Sequence, residues 1–96
     1  MISETTIRKV RELAIEDVLS PYVRLSRKGL TLMGLCPFHS EKTGSFAVTP
    51  SKNLFHCFSC NRGGDSITFT MEKENLSFSS AVEFIANNHK DIYKMK

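Results

Sequence analysis

A chain of 96 residues, 41% apolar and 24% charged with a net charge of +3, reads as one soluble globular domain. At that length folding buries only about 60–65% of the unfolded surface, so the core is modest and an added cross-link is expected. A nucleotide polymerase, a helicase or a doubly wound dinucleotide fold needs more chain, and the sequence holds no long apolar run or signal-type segment, which predicts a cytoplasmic protein without a membrane partner.

The small net charge hides an asymmetry. Residues 1–21 and residues 63–96 each sum to −1. Residues 22–62 sum to +5, from Arg24, Arg27, Lys28, Lys42, Lys52 and Arg62 against Glu41 alone. A basic middle with interleaved aromatics suits a polyanion such as nucleic acid, and the plainer reading is a solvated basic surface.

In chain order, residues 4–19 read as one helix. Ile7, Val10, Ala14, Ile15, Val18 and Leu19 fall on a single stripe, Ser3 is an N-cap and Pro21 stops the pattern. Residues 22–25 and 30–33 read as short strands joined by a turn at Ser26-Arg27-Lys28-Gly29, with Gly29 supplying a positive φ. Residues 45–49 and 54–57 form a second strand pair around Pro50-Ser51-Lys52-Asn53. Gly63-Gly64 then breaks the chain. Asp65 caps a helix over about 66–73, and Ser77 caps another over about 78–88 whose stripe is Phe78, Ala81, Val82 and Ile85.

The chemistry lies in two short units. Cys36-Pro37-Phe38-His39 is a C-x2-H unit and Cys57-Phe58-Ser59-Cys60 a C-x2-C unit, 17 residues apart. A two-residue gap is the spacing of a zinc knuckle, in which a tight turn converges two side chains. Cys36, His39, Cys57 and Cys60 would close one tetrahedral structural site and use every cysteine, which accounts for the odd count of three. Each unit follows the second strand of a hairpin, the layout of a zinc ribbon. Two other readings stay open. Cys57 and Cys60 could form a dithiol redox pair, although such a pair opens a helix and Gly63-Gly64 intervenes, or the thiols could be unrelated core residues. His56 would point away from Cys57 across the strand and is a non-ligand, and His89 is solvated.

These residues also resemble a family. Gly34-Leu35-Cys36-Pro37-Phe38-His39-Ser40-Glu41-Lys42-Thr43, Ser45-Phe46, Phe55-His56-Cys57-Phe58-Ser59-Cys60 and Gly63-Gly64-Asp65 are similar to the N-terminal zinc-binding domain of bacterial-type DNA primases, and the similarity runs over residues 7–86. The resemblance implies an α+β fold: a zinc ribbon whose small antiparallel β-sheet is flanked by an N-terminal helix and two C-terminal helices. It makes residues 1–96 a single domain with its ribbon core over 22–65. One structural Zn2+ would be held by Cys36, His39, Cys57 and Cys60, with no catalytic residue. The partners implied are single-stranded DNA template, a primase polymerase domain in cis or in trans, and the replicative helicase through the rest of the primase. Nothing in the chain resembles the acidic cluster of the polymerase domain, so no nucleotidyl transfer is expected from this chain alone. It would be either the first piece of a longer primase or a free-standing protein, for instance of a mobile element.

Single strands are held by a basic groove and aromatic platforms. The phosphate contacts expected are Lys42, Lys52 and Arg62 near the knuckles and Arg24, Arg27 and Lys28 around the first hairpin. The stacking candidates are Phe46, Phe55 and Phe58, some of which must be core. This chain departs from the family's usual pattern. Ser26 and Leu32 stand where a basic and an aromatic residue are usual, which predicts a less basic and less aromatic face. Gly44 replaces a proline and loosens a loop, and Ser59 and Asn61 replace glycines, of which Asn61 tolerates the left-handed conformation. A rival of another class is a protein-interaction module whose basic surface docks an acidic partner.

Overall fold

The computed structural model describes residues 3–38 and 45–90. Ser3 starts α1 (Glu4–Glu12) as expected, its side chain accepting a hydrogen bond from the Thr6 N–H. The single helix read over 4–19 is in fact two, because the backbone is extended at Leu13 and Ala14 before α2 (Ile15–Leu19). No glycine or proline causes the break. Asn53, from the turn of the second hairpin, fills it. Its Oδ1 accepts from the Ile15 N–H at 2.8 Å, and its Nδ2 donates to the carbonyls of Leu13 at 2.9 Å and Arg11 at 3.2 Å. One side chain thus satisfies backbone groups that continuous helix would have paired internally. Asn53 sits at φ 57°, a left-handed position that Asn tolerates.

The first hairpin is shifted from its predicted position. β1 (Ser26–Lys28) pairs with β2 (Thr31–Gly34), and the turn is Gly29-Leu30, with Gly29 at φ 67°. Residues 22–25 are not a strand. Val23 is buried in the core, and Tyr22 packs on Phe69 with ring centroids 5.4 Å apart. The Tyr22 hydroxyl donates to Glu74 Oε2 at 2.6 Å. This segment passes so close to β2 that a Cβ on Gly34 would lie 2.5 Å from the Arg24 carbonyl oxygen, so only glycine fits there.

β3 (Phe46–Thr49) and β4 (Leu54–Cys57) match their predicted spans to within a residue. Gly63-Gly64 does more than break the chain: it forms β5 (Gly63–Gly64), which pairs with Phe55 and His56. The result is a five-stranded antiparallel sheet in the order β1-β2-β3-β4-β5. α3 (Ser66–Glu74) begins at the predicted cap, with Asp65 Oδ1 accepting from the Thr68 N–H at 2.8 Å. α4 (Phe78–Asn88) begins at Ser77, which accepts from the Ser80 N–H.

The pairing register divides the sheet into two faces. Leu32, Phe46, Val48, Phe55 and Cys57 share one, which the helices cover. Phe69 of α3 is its hub, within 5.1–6.1 Å of the rings of Phe38, Phe55, Phe46 and Tyr22. Val10, Ile15, Val18 and Leu19 from α1 and α2, and Ala81, Val82, Ile85 and Ala86 from α4, complete this core. Ser26, Lys28, Thr31, Met33, Ala47, Thr49, Leu54 and His56 alternate onto the opposite face.

Two predictions follow from this packing. Asn53→Gly keeps the turn's left-handed backbone but removes the plug, and should lower unfolding stability by about 1–3 kcal/mol, read from urea midpoints at constant m-value. The Tyr22 phenol is pushed up to about 12, first by burial and then by the hydrogen bond and charge of Glu74. The neutral phenol therefore stabilises the fold below the ordinary value of 10, and the contribution is lost as pH climbs through that window. Wild type should exceed Tyr22→Phe by about 0.5–1.5 kcal/mol at neutral pH, and the difference should shrink above the ordinary phenol value.

Candidate metal centre

The two cysteine units come together at one end of the sheet. Gly34, Phe46 and Cys57 lie opposite one another across β2, β3 and β4, so the loop after β2 and the turn after β4 leave the same edge. Cys36 and Cys57 are buried and Cys60 is half-buried. Their three sulfurs lie within 4.8 Å of one another, with Cys36 Sγ and Cys60 Sγ at a hydrogen-bonding separation of 3.8 Å and no disulfide between them. His39, Lys42 and Gly44 lie outside the described residues.

Local hydrogen bonds shape the second unit. The Asn61 N–H donates to the Cys57 carbonyl and the Cys57 N–H to the Arg62 carbonyl, both at 2.8 Å. Asn61 takes the left-handed conformation expected of it, at φ 61°. Ser59 Oγ donates to Ser45 Oγ at 2.7 Å, and Ser45 Oγ lies 3.9 Å from Cys57 Sγ. The serine that departs from the family's usual glycine therefore ties the turn to the start of β3.

The electrostatics fit a soft dication. Burial pushes the Cys36 thiol up to about 12, against the lowering effect of the Phe38 backbone, and the Cys57 and Cys60 thiols add to the rise. Burial works in the same direction at Cys60, but that thiol ends below its ordinary value because the backbone and side chain of Arg62 hydrogen-bond it. Three thiols packed this closely cannot all ionise without a cation among them, and thiolates are what zinc selects. The dithiol reading fits poorly: Cys60 leads into β5 and not into a helix, and a third thiol shares the cluster.

The predicted nucleic-acid contacts separate. Phe46 and Phe55 are corrected to core residues, only 0% and 2% exposed and stacked on each other at 5.4 Å, so neither has a ring face for a base. Phe58 is 67% exposed and meets the His56 ring edge-on at 4.8 Å. Lys52 is exposed but not near the knuckles, because the β3–β4 turn lies at the other end of the ladder. Arg62 is exposed but held in place. It stands over the Phe38 ring, with Cζ 5.1 Å from the centroid, and its Nε is 3.6 Å from Glu72 Oε2. Arg24, Arg27 and Lys28 are exposed. Arg24 and Lys28 line an open groove of about 610 Å³ with Ser26, Met33, Gly34 and Leu35. Met33 and Leu35, which also line it, were missed from sequence.

Residues 2–96 match the family model described as CHC2 zinc finger. The DNA primase of Listeria monocytogenes is 45% identical over 93 residues, 95% of this chain and 15% of that protein. The DNA primase of Geobacillus stearothermophilus is 48% identical over 86 residues, and that of Mycobacterium tuberculosis 50% over 88, covering 88% and 90% of the chain and 14% of each primase. The solved zinc-binding and RNA polymerase domains of the Aquifex aeolicus primase superpose with a TM-score of 0.82 at 37% identity, over 99% of this chain and 24% of that one. The chain thus spans about a seventh of the length of the curated primases it matches.

Stripping the metal with a chelator, or replacing Cys57 by Ser, should abolish cooperative unfolding, since structural zinc contributes on the order of 10 kcal/mol in small domains. Elemental analysis paired with circular dichroism checks this. A metal-free chain with unchanged cooperativity would refute it.

Proposed function

The chain belongs to the CHC2 zinc-finger family, and we propose that it is the template-binding domain of a DNA primase, holding single-stranded DNA on the uncovered face of its sheet. The observation that carries this reading is the open groove lined by Arg24, Lys28, Met33 and Leu35, together with an exposed Phe58 beside the outward-facing His56. Cations at a groove's rim hold phosphates, and an exposed ring offers a platform for a base. Lys52 at the far turn would extend the phosphate track and Lys42 would add a further contact, whereas Arg27 pairs with Leu32 and starts from the other face of the hairpin.

Zinc bound at Cys36, His39, Cys57 and Cys60 supplies a cross-link that fixes the two knuckles, and so the end of the sheet where Phe58 stands. The chain's own residues do the binding. They would position template for RNA primer synthesis by a polymerase domain supplied in cis or in trans, with the replicative helicase reached through the rest of the primase. A primase role implies work in the cytoplasm. Among the described residues no helix is long and apolar enough to cross a membrane.

Fluorescence anisotropy with a labelled single-stranded oligonucleotide tests the reading. Affinity should fall steeply with salt, and Lys28→Ala and Arg24→Ala should each weaken binding and reduce the salt slope by about 1. Phe58→Ala should cost about 1–3 kcal/mol of binding while leaving the salt slope intact. Absence of binding to any oligonucleotide at low salt would overturn the reading.

A further inference from the structure

Arg62 is held by more partners than any phosphate contact needs. Its carbonyl accepts from the Cys57 N–H at 2.8 Å. It follows Cys60 by two residues, and its guanidinium stands beside that thiol. The guanidinium lies over Phe38, one of the two residues between Cys36 and His39, and pairs at 3.6 Å with Glu72 on α3. One residue therefore touches both knuckles and the helix behind them.

The chemistry of the donor set gives these contacts a purpose. Three thiolates around a dication, with a neutral imidazole, leave an excess of negative charge. Two of the sulfurs are buried, where uncompensated charge is costly. A guanidinium is always charged, stacks on an aromatic ring and donates in a fixed fork, so it can offset that charge while keeping a defined position. The Glu72 pair is half-exposed and worth little as a salt bridge, so its main effect is to aim the guanidinium.

We propose that Arg62 is a positioning residue for the metal: stacked on Phe38 and aimed by Glu72, it fixes Cys60 and offsets the excess negative charge of a three-thiolate site. It acts through Cys60 and does not itself ligate. Its effect is to slow metal loss, and it is independent of whether the sheet face binds DNA.

The zinc-loaded 96-residue chain is the material for the test. Transfer of zinc to a colorimetric chelator is timed for wild type, Arg62→Lys, Arg62→Gln and Arg62→Ala. Arg8→Gln on α1 serves as an equal change of charge at an exposed position away from the thiols. Outer-shell partners typically change metal affinity by about 10–100-fold, so Arg62→Gln and Arg62→Ala should release zinc at least about tenfold faster. Arg62→Lys should fall between them and wild type, because charge is restored without the fork or the stack. With cobalt in place of zinc, the thiolate charge-transfer band should shift in Arg62→Gln and not in Arg8→Gln. Should Arg62→Ala fail to fold, the Gln and Lys variants still decide. Equal release rates for the Arg62 variants and wild type, or an equal acceleration by Arg8→Gln, would overturn the proposal. A wild-type chain that takes up no zinc would instead remove the metal centre itself.

Discussion

The fold depends on one convergence. Two loops leaving the same end of a small sheet must bring three thiols within 4.8 Å. The strands that support them are two to four residues long, too short to be stable as isolated hairpins. A metal that captures both loops fixes the register of β2 against β4, since Gly34, Phe46 and Cys57 are cross-strand neighbours. The rest of the sheet follows from that register. Tight thiol packing opposes ionisation and so makes the site dependent on a cation. That dependence is how a chain with a modest core gains a cooperative fold.

A fixed register also divides the labour between the two faces. The inner face gives its aromatics to the core: Phe46 and Phe55 stack on each other and Phe69 closes over them, leaving no ring free for a ligand. The outer face keeps what the core cannot use, which is Lys28, Met33, Ala47 and His56, with Phe58 at the margin. A surface of this kind binds through solvent-exposed charge and exposed rings, and it needs no moving part.

The positive charges serve different ends for the same reason. Arg24 and Lys28 stand on an uncovered groove, where a phosphate can reach them. Arg62, only two residues beyond a cysteine, is turned onto Phe38 and Glu72 beside the sulfurs. In sequence they are equivalent members of one basic segment. In space, Arg24 and Lys28 line an open groove, whereas Arg62, though exposed, is held by Phe38 and Glu72.

Features set by neighbouring residues were legible in the sequence. The two-residue gap between Cys57 and Cys60, with Cys36 before it, marked the thiol cluster, because a tight turn converges side chains at that spacing. Asp65 and Ser77 marked helix starts, because a cap bonds an N–H three residues away. Pro50 to Asn53 marked a turn, and Asn61 a left-handed residue. Features that depend on a distant partner were not legible. The break between α1 and α2 follows no local signal, since the side chain that fills it comes from Asn53, about 40 residues on. The first hairpin shifts because Val23 and Tyr22 are drawn into the core, and β5 exists because β4 offers an edge to two glycines. Burial alone decided that Phe58 is the exposed ring and that Phe46 and Phe55 are core. By itself the sequence determined which three thiols cluster and where α1, α3 and α4 begin, because spacing and caps act within a few residues. Only the tertiary structure decided which aromatics and cations remain free to bind, because that depends on what packs over them.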